Sequence, residues 1–188
     1  LRAGIGRVVI ALEDPDPRVD GGGIRQLRQA GLDVISGVLR EEARQQNRAF
    51  LHRVRTGRPF GILKWAMSLD GRTALPNGAS QWISGPPARD WVHRLRSGVD
   101  AVVVGGGTVR GDDPLLTSRG RRSPEPLRVV LSRSLDLPDQ AQLWDTAVAP
   151  TLVAHGPDAD LRRLPSGPEA LRLSACEPQQ LMEALAER

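Results

Sequence analysis

Ala101-Val-Val-Val-Gly-Gly-Gly-Thr-Val-Arg-Gly-Asp-Asp-Pro114 reads as a strand that runs into glycines and then into a helical turn. A continuous apolar run rich in β-branched residues suits a strand buried on both faces, as parallel strands are. Glycines directly after it let the backbone approach a ligand closely, and a helix that starts there favours a phosphate. The plainer alternative is a tight strand-to-helix turn with Asp112 and Asp113 as turn or capping residues. The segment lacks both the full dinucleotide fingerprint and the lysine-serine pair of a P-loop.

Working outward, the same alternation recurs on both sides. Gly85 to Ser97 is expected to be a helix with prolines in its first turn, where a missing amide costs little. Downstream, Leu127 to Leu131 and Pro150 to His155 read as strands, and Gln179 to Glu187 as a helix. Upstream, Phe60 to Ser68 is expected to be a strand, followed by the turn-rich Leu69-Asp-Gly-Arg72 and Pro76-Asn-Gly78. Before the breakers Arg55-Thr-Gly-Arg-Pro59 comes a separate series. It runs from a strand at Arg7 to Leu12, through a helix at Ile24 to Ala30 and a strand at Leu32 to Val38, to one helix from Leu39 to Val54. Strands alternating with helices imply parallel neighbours, so the fold class is α/β, with a boundary between residues 57 and 58.

Composition narrows the function. Hydrophobic residues make up 39% of the 188 residues and charged residues 26%, as in an ordinary soluble domain. No apolar run has the length of a membrane span, and no charged-then-apolar leader opens the chain. A single cysteine, Cys176, forms no internal disulfide and no multi-cysteine metal site, which points to a reducing cytoplasm. His52, His93 and His155 are too scattered to suggest a metal centre. The net charge of +4 and pI near 10.7 raise a nucleic-acid reading. With no tyrosine, two phenylalanines and four tryptophans, stacking platforms are scarce. Lys64 is the one lysine among 26 basic residues, a bias that resembles codon preference more than a polyanion-binding surface.

Four sets of residues stand at strand ends or beside them, where ligands gather in open α/β sheets. Lys64, inside the apolar run Leu63-Lys-Trp-Ala-Met67, must lose hydration, find a partner or snorkel to solvent. The glycine segment through Asp112 is the second. Ser132-Arg-Ser134 follows a strand directly; an arginine between hydroxyls suits a phosphate monoester such as the 2′-phosphate of NADP, or is simply an exposed loop arginine. Arg96 and Arg119 are the fourth set, either a clamp on a substrate phosphate or solvated surface charges.

Taken in order, Arg58-Pro-Phe60, Leu69-Asp-Gly-Arg-Thr-Ala74, Ser80-Gln-Trp-Ile83, His93-Arg-Leu-Arg96, Gly105-Gly-Gly-Thr108 and Asp112-Asp-Pro-Leu-Leu-Thr117 resemble the reductase domain of the bifunctional riboflavin-biosynthesis deaminase/reductase family. Ala3-Gly-Ile-Gly-Arg-Val-Val9, Asp14-Pro-Asp-Pro17 and Glu42-Ala-Arg-Gln-Gln-Asn47 resemble the last third of its deaminase domain. The resemblance implies the C-terminal part of a cytidine-deaminase-like domain (residues 1–57). A dihydrofolate-reductase-like domain with a mainly parallel sheet, incomplete at its C-terminus, would follow (residues 58–188). It implies hydride transfer from NADPH to the ribose of 5-amino-6-(5-phosphoribosylamino)uracil. By position it assigns Ala66, Trp82, Thr108, Asp112 and Arg133 to NADP(H), and Ser80, Arg96, Leu116 and Arg119 to a pyrimidine ribose-phosphate substrate. Lys64 and Asp112 are the expected proton-handling pair near the ribose C1′.

The family's zinc-holding His-x-Glu and Pro-Cys-x-x-Cys elements do not occur here, so zinc and deamination are expected only of the missing deaminase part. Its Glu-Gly-Gly-Pro strand end is also absent, and weak or no NADPH binding is expected of residues 1–188 alone. The resemblance also makes a homo-oligomer plausible. Two other readings remain: a related reductase of another pyrimidine or pterin, and a basic nucleic-acid-binding module.

Overall fold

The computed structural model describes residues 4–188, so Ala3 of the first deaminase-like motif lies outside the described residues. The chain forms two compact units, one running to Ile62 and taking in Met182–Arg188, the other Leu63–Leu181.

In the first unit, β1 (Arg7–Ile10) and β2 (Asp33–Ser36) pair in parallel, joined through α1 (Gly22–Gln29). The strand expected to reach Leu12 stops at Ile10, because the ladder ends where Ser36 ends. The helix expected over Leu39 to Val54 is two, α2 (Arg40–Gln46) and α3 (Arg48–Thr56). Asn47 separates them: it closes α2, and its side-chain amide donates to the Ala43 carbonyl at 2.8 Å. Along this stretch Leu51 is buried while Leu39 and Phe50 are exposed. A two-stranded sheet offers too little surface to cover them. Asp16 is buried, and hydrogen bonds from the Arg18 side chain and amide hold its carboxyl at about 2.

The second unit carries a four-stranded parallel sheet in the order β3 (Ala101–Gly105), β4 (Leu127–Leu131), β5 (Thr151–His155) and β6 (Glu169–Arg172). α4 (Pro86–Ser97) has prolines in its first turn, as expected. α5 (Gly106–Asp112) packs on β3 and β4, and α6 (Pro178–Ala186) ends the described elements. The core is Val109, Leu116, Val130, Leu135, Leu143 and Val153.

Two expectations fail in this unit. Phe60 to Ser68 forms no strand, because no neighbour accepts its ladder bonds, and Leu63 is left 83% exposed. β6 was not expected, since Glu169-Ala-Leu-Arg172 has no continuous apolar run. Arg128 on β4 is fully buried. Its guanidinium donates to the carbonyls of Gln142 (3.4 Å), Leu143 (3.0 Å), Asp145 (2.8 Å) and Ala149 (2.7 Å), fixing the β4–β5 connection. Among the described residues no helix is long and apolar enough to cross a membrane.

Candidate functional site

The glycines after β3 occupy two different environments. A Cβ on Gly106 would meet Ser132 Oγ at 3.1 Å and Leu137 Cδ2 at 3.2 Å, so only glycine lets α5 start this close to the end of β4. Gly105 has open space beside it, and Gly107 meets only an Arg110 side-chain atom at 4.0 Å. Next along the sheet, a Cβ on Gly156 would stand 2.9 Å from the Arg133 carbonyl, which accepts the Gly156 amide at 3.1 Å. The exits of β3, β4 and β5 are thereby drawn together, with the Arg133 side chain exposed among them. Thr108 is half-buried one turn into α5. Asp112 ends that helix and is exposed. Asp113 follows in a left-handed conformation (φ 40°), held by Gln142: its carboxylate accepts the Gln142 amide at 2.8 Å, and its carbonyl accepts Nε2 at 2.7 Å.

A second cluster is built on the last turns of α4 and the loop after Asp113. Arg96 donates to the Thr117 carbonyl at 3.4 Å. Burial, and then the nearby positive charge of Arg119, push its guanidinium pKa down. His93, one turn earlier, is also pushed down, by burial first and then by Arg96 and Arg119, and its Nδ1 is buried without a partner. Among the described residues neither Arg96 nor Arg119 has a carboxylate partner, whereas Arg121 pairs with Asp90 and Arg122 with Asp100. Two guanidinium groups held near each other without a counter-ion repel, and a bound anion relieves that repulsion. Leu116 is buried beneath this loop with φ 57°.

The third group lies on the run from Leu63 to Ile83. Lys64 is exposed and makes no hydrogen bond or ion pair among the described residues. Of the alternatives open to its ammonium, solvent exposure is the one observed, because the strand expected to bury it does not form. Ala66 and Ser80 are half-buried. Trp82 is exposed, with the Arg89 guanidinium 4.3 Å from its ring centroid. The structure thus places Arg96 within electrostatic reach of Arg119, and gathers Thr108 and Arg133 on neighbouring strand exits. No hydrogen bond or ion pair among the described residues ties Lys64 to Asp112 or to either arginine.

Sequence reading missed His93, Glu125 and the Asp113–Gln142 pair. His93 sat inside a quoted motif without a role, and only its buried nitrogen among arginines singles it out. Glu125 and Gln142 act on residues far along the chain, which spacing does not reveal. Among the described residues no group of three histidines, cysteines or acids is placed to hold a metal ion.

Comparison with known proteins supplies the relationship. The family model described as the RibD C-terminal domain matches residues 59–188. A Synechocystis protein named riboflavin biosynthesis protein RibD is 48% identical over all of this chain and 52% of its own length. The Arabidopsis thaliana riboflavin biosynthesis protein PYRR, chloroplastic, is 38% identical over 97% of this chain and 33% of its own. Among solved structures, a Thermotoga maritima diaminohydroxyphosphoribosylaminopyrimidine deaminase/5-amino-6-(5-phosphoribosylamino)uracil reductase superposes with a TM-score of 0.89. It is 36% identical, over all of this chain and 52% of that one. Acinetobacter baumannii RibD gives 0.83 at 34% identity, over 99% of this chain and 52% of that one. The chain spans about half the length of RibD relatives such as these. Its matched region carries both the glycine-lined strand exits and the Arg96–Arg119 pair, and the chain belongs to the RibD C-terminal domain family.

Proposed function

We propose that residues 58–188 are the reductase part of a riboflavin-biosynthesis enzyme. Its substrate is 5-amino-6-(5-phosphoribosylamino)uracil and its reductant NADPH; the reaction opens the ribose to a ribityl chain. The observation that carries this reading is the Arg96–Arg119 pair, two guanidinium groups near enough to repel, with no carboxylate partner among the described residues, which suits the phosphate monoester of such a substrate.

The strand exits fit a dinucleotide. Open space beside Gly105 and Gly107 admits close backbone contact, and the exposed Arg133 suits a 2′-phosphate. Thr108, Asp112, Ala66 and Trp82 complete the proposed contacts. When bound, NADPH supplies the hydride. The chain's own residues orient and exclude: Arg96 and Arg119 hold the phosphate, and Ser80 and Leu116 line the sugar and base. Lys64 and Asp112 handle the proton at the ribose ring oxygen. Residues 1–57 are the tail of a deaminase part whose zinc chemistry belongs to the rest of the protein. The single cysteine suits a reducing cytoplasm, and self-association is expected of the whole enzyme.

The test uses the full-length protein with NADPH, offered the phosphoribosylamino-uracil and dihydrofolate separately. Oxidation of NADPH with the first, yielding the ribityl product by mass spectrometry, is the expected result. Turnover of dihydrofolate alone overturns the assignment. Residues 1–188 alone are expected to bind NADPH weakly by calorimetry.

A further inference from the structure

We infer that Glu125 is a positioning residue that presents Arg119 to the substrate phosphate, because its carboxylate accepts the backbone N–H groups on both sides of Arg119. The inference rests on the reductase reading above. One carboxylate oxygen takes the Ser118 amide at 2.6 Å, and the other takes the Gly120 amide at 2.9 Å.

The backbone between those amides needs such a partner. Arg119 sits at φ 57° and Gly120 at φ 75°, with Leu116 also at φ 57°. A left-handed conformation is unfavourable for a non-glycine residue, so the backbone at Arg119 needs contacts that hold it there. Ser118 is fully buried, and its hydroxyl accepts the Arg122 amide at 3.2 Å. Arg122 in turn donates to the Val99 carbonyl, which anchors the loop beside the entry to β3. Arg121 pairs with Asp90 and Arg122 with Asp100, leaving Arg119 as the arginine of this loop without a carboxylate partner among the described residues. Burial pushes the Glu125 carboxyl up, but the Ser118 and Gly120 amides and the Ser118 hydroxyl outweigh it, and the net displacement is downward. The group is therefore an acceptor at neutral pH. Through Arg119 it selects a phosphorylated sugar over its dephosphorylated counterpart.

The test is a double-mutant cycle in the full-length protein with Glu125→Gln, Arg119→Ala and the pair, in which the amide nitrogen of Gln faces one N–H donor with another. Two readouts are taken: KM and kcat for the phosphoribosylamino-uracil, and the Kd of ribose 5-phosphate by calorimetry. Glu125→Gln is expected to raise KM and Kd about tenfold, the scale of one charge-assisted hydrogen bond, with kcat changed less than about twofold. In the Arg119→Ala background it is expected to add nothing. An effect of equal size in that background overturns the role, as does an unchanged Kd, or ribose 5-phosphate binding that Arg119→Ala leaves intact. If Gln at 125 unfolds the protein, Glu125→Asp carries the same comparison, since it keeps the charge but cannot reach both amides. The binding constants decide the role even in a protein that turns over no pyrimidine, so the two readings fail separately.

Discussion

β5 and the run Leu63–Leu69 are both short apolar stretches, and they end in opposite states. Every residue of β5 is buried between β4 and β6. Leu63, Trp65, Met67 and Leu69 are exposed, and their backbone joins no ladder. The difference is not composition but neighbours: an apolar strand is covered only when partners satisfy its amides and carbonyls. The proposed site inherits the contrast. Thr108 stands on α5 and Arg133 in the turn directly after β4, its carbonyl bonded to the Gly156 amide beyond β5, whereas Lys64 and Ala66 stand on backbone that joins no ladder.

Hydrogen exchange tests that contrast where the effect is largest. Amides of Val129, Val130, Leu152 and Val153 are expected to exchange on the order of a thousandfold or more slowly than those of Leu63, Trp65 and Met67. Equal protection would mean that the run has found a partner and would erase the distinction. Substitution sharpens it in free energy. Arg128→Met is expected to cost about 3 kcal/mol in urea unfolding, because four carbonyls around a fully buried guanidinium lose their donor. Leu63→Ser is expected to stay within about 0.5 kcal/mol. Comparable losses at the two positions would show that the run contributes as much as the sheet.

The smallest effect is in pH. The depressed pKa of His93 in the folded state means that the unfolded chain takes up its proton first as pH falls below 6.5. Stability is expected to decline from there toward the folded value, since the slope follows the extra proton bound by the unfolded state. His93→Gln should flatten that part of the profile in chemical unfolding at a series of pH values. An unchanged profile would place the decline on other groups.

The strands near residues 101, 127 and 151 and the helix over Pro86–Ser97 were legible, because continuous β-branched runs and a proline-led first turn are local signals. The expectation at Phe60–Ser68 failed for the opposite reason: its residues have strand chemistry, and a strand is a relation between two segments. Glu169-Ala-Leu-Arg172 shows the converse, forming β6 on an edge where alternation is weak. The break at Asn47 depends on a side chain turning back on its own helix, which helical periodicity does not encode. At the site, Arg96, Arg119 and Arg133 could be named one by one. The contact that holds the loop around Arg119, the carboxylate of Glu125 on the Ser118 and Gly120 amides, is visible only once the loop is folded.

The left-handed backbone of Arg119 sets a trap for anyone seeking a hardier enzyme. Glycine or asparagine would relieve that residue, and a screen that rewards heat tolerance alone would favour either one. Each such gain in robustness would discard the guanidinium, so thermal selection and the proposed grip on a sugar phosphate pull this position in opposite directions.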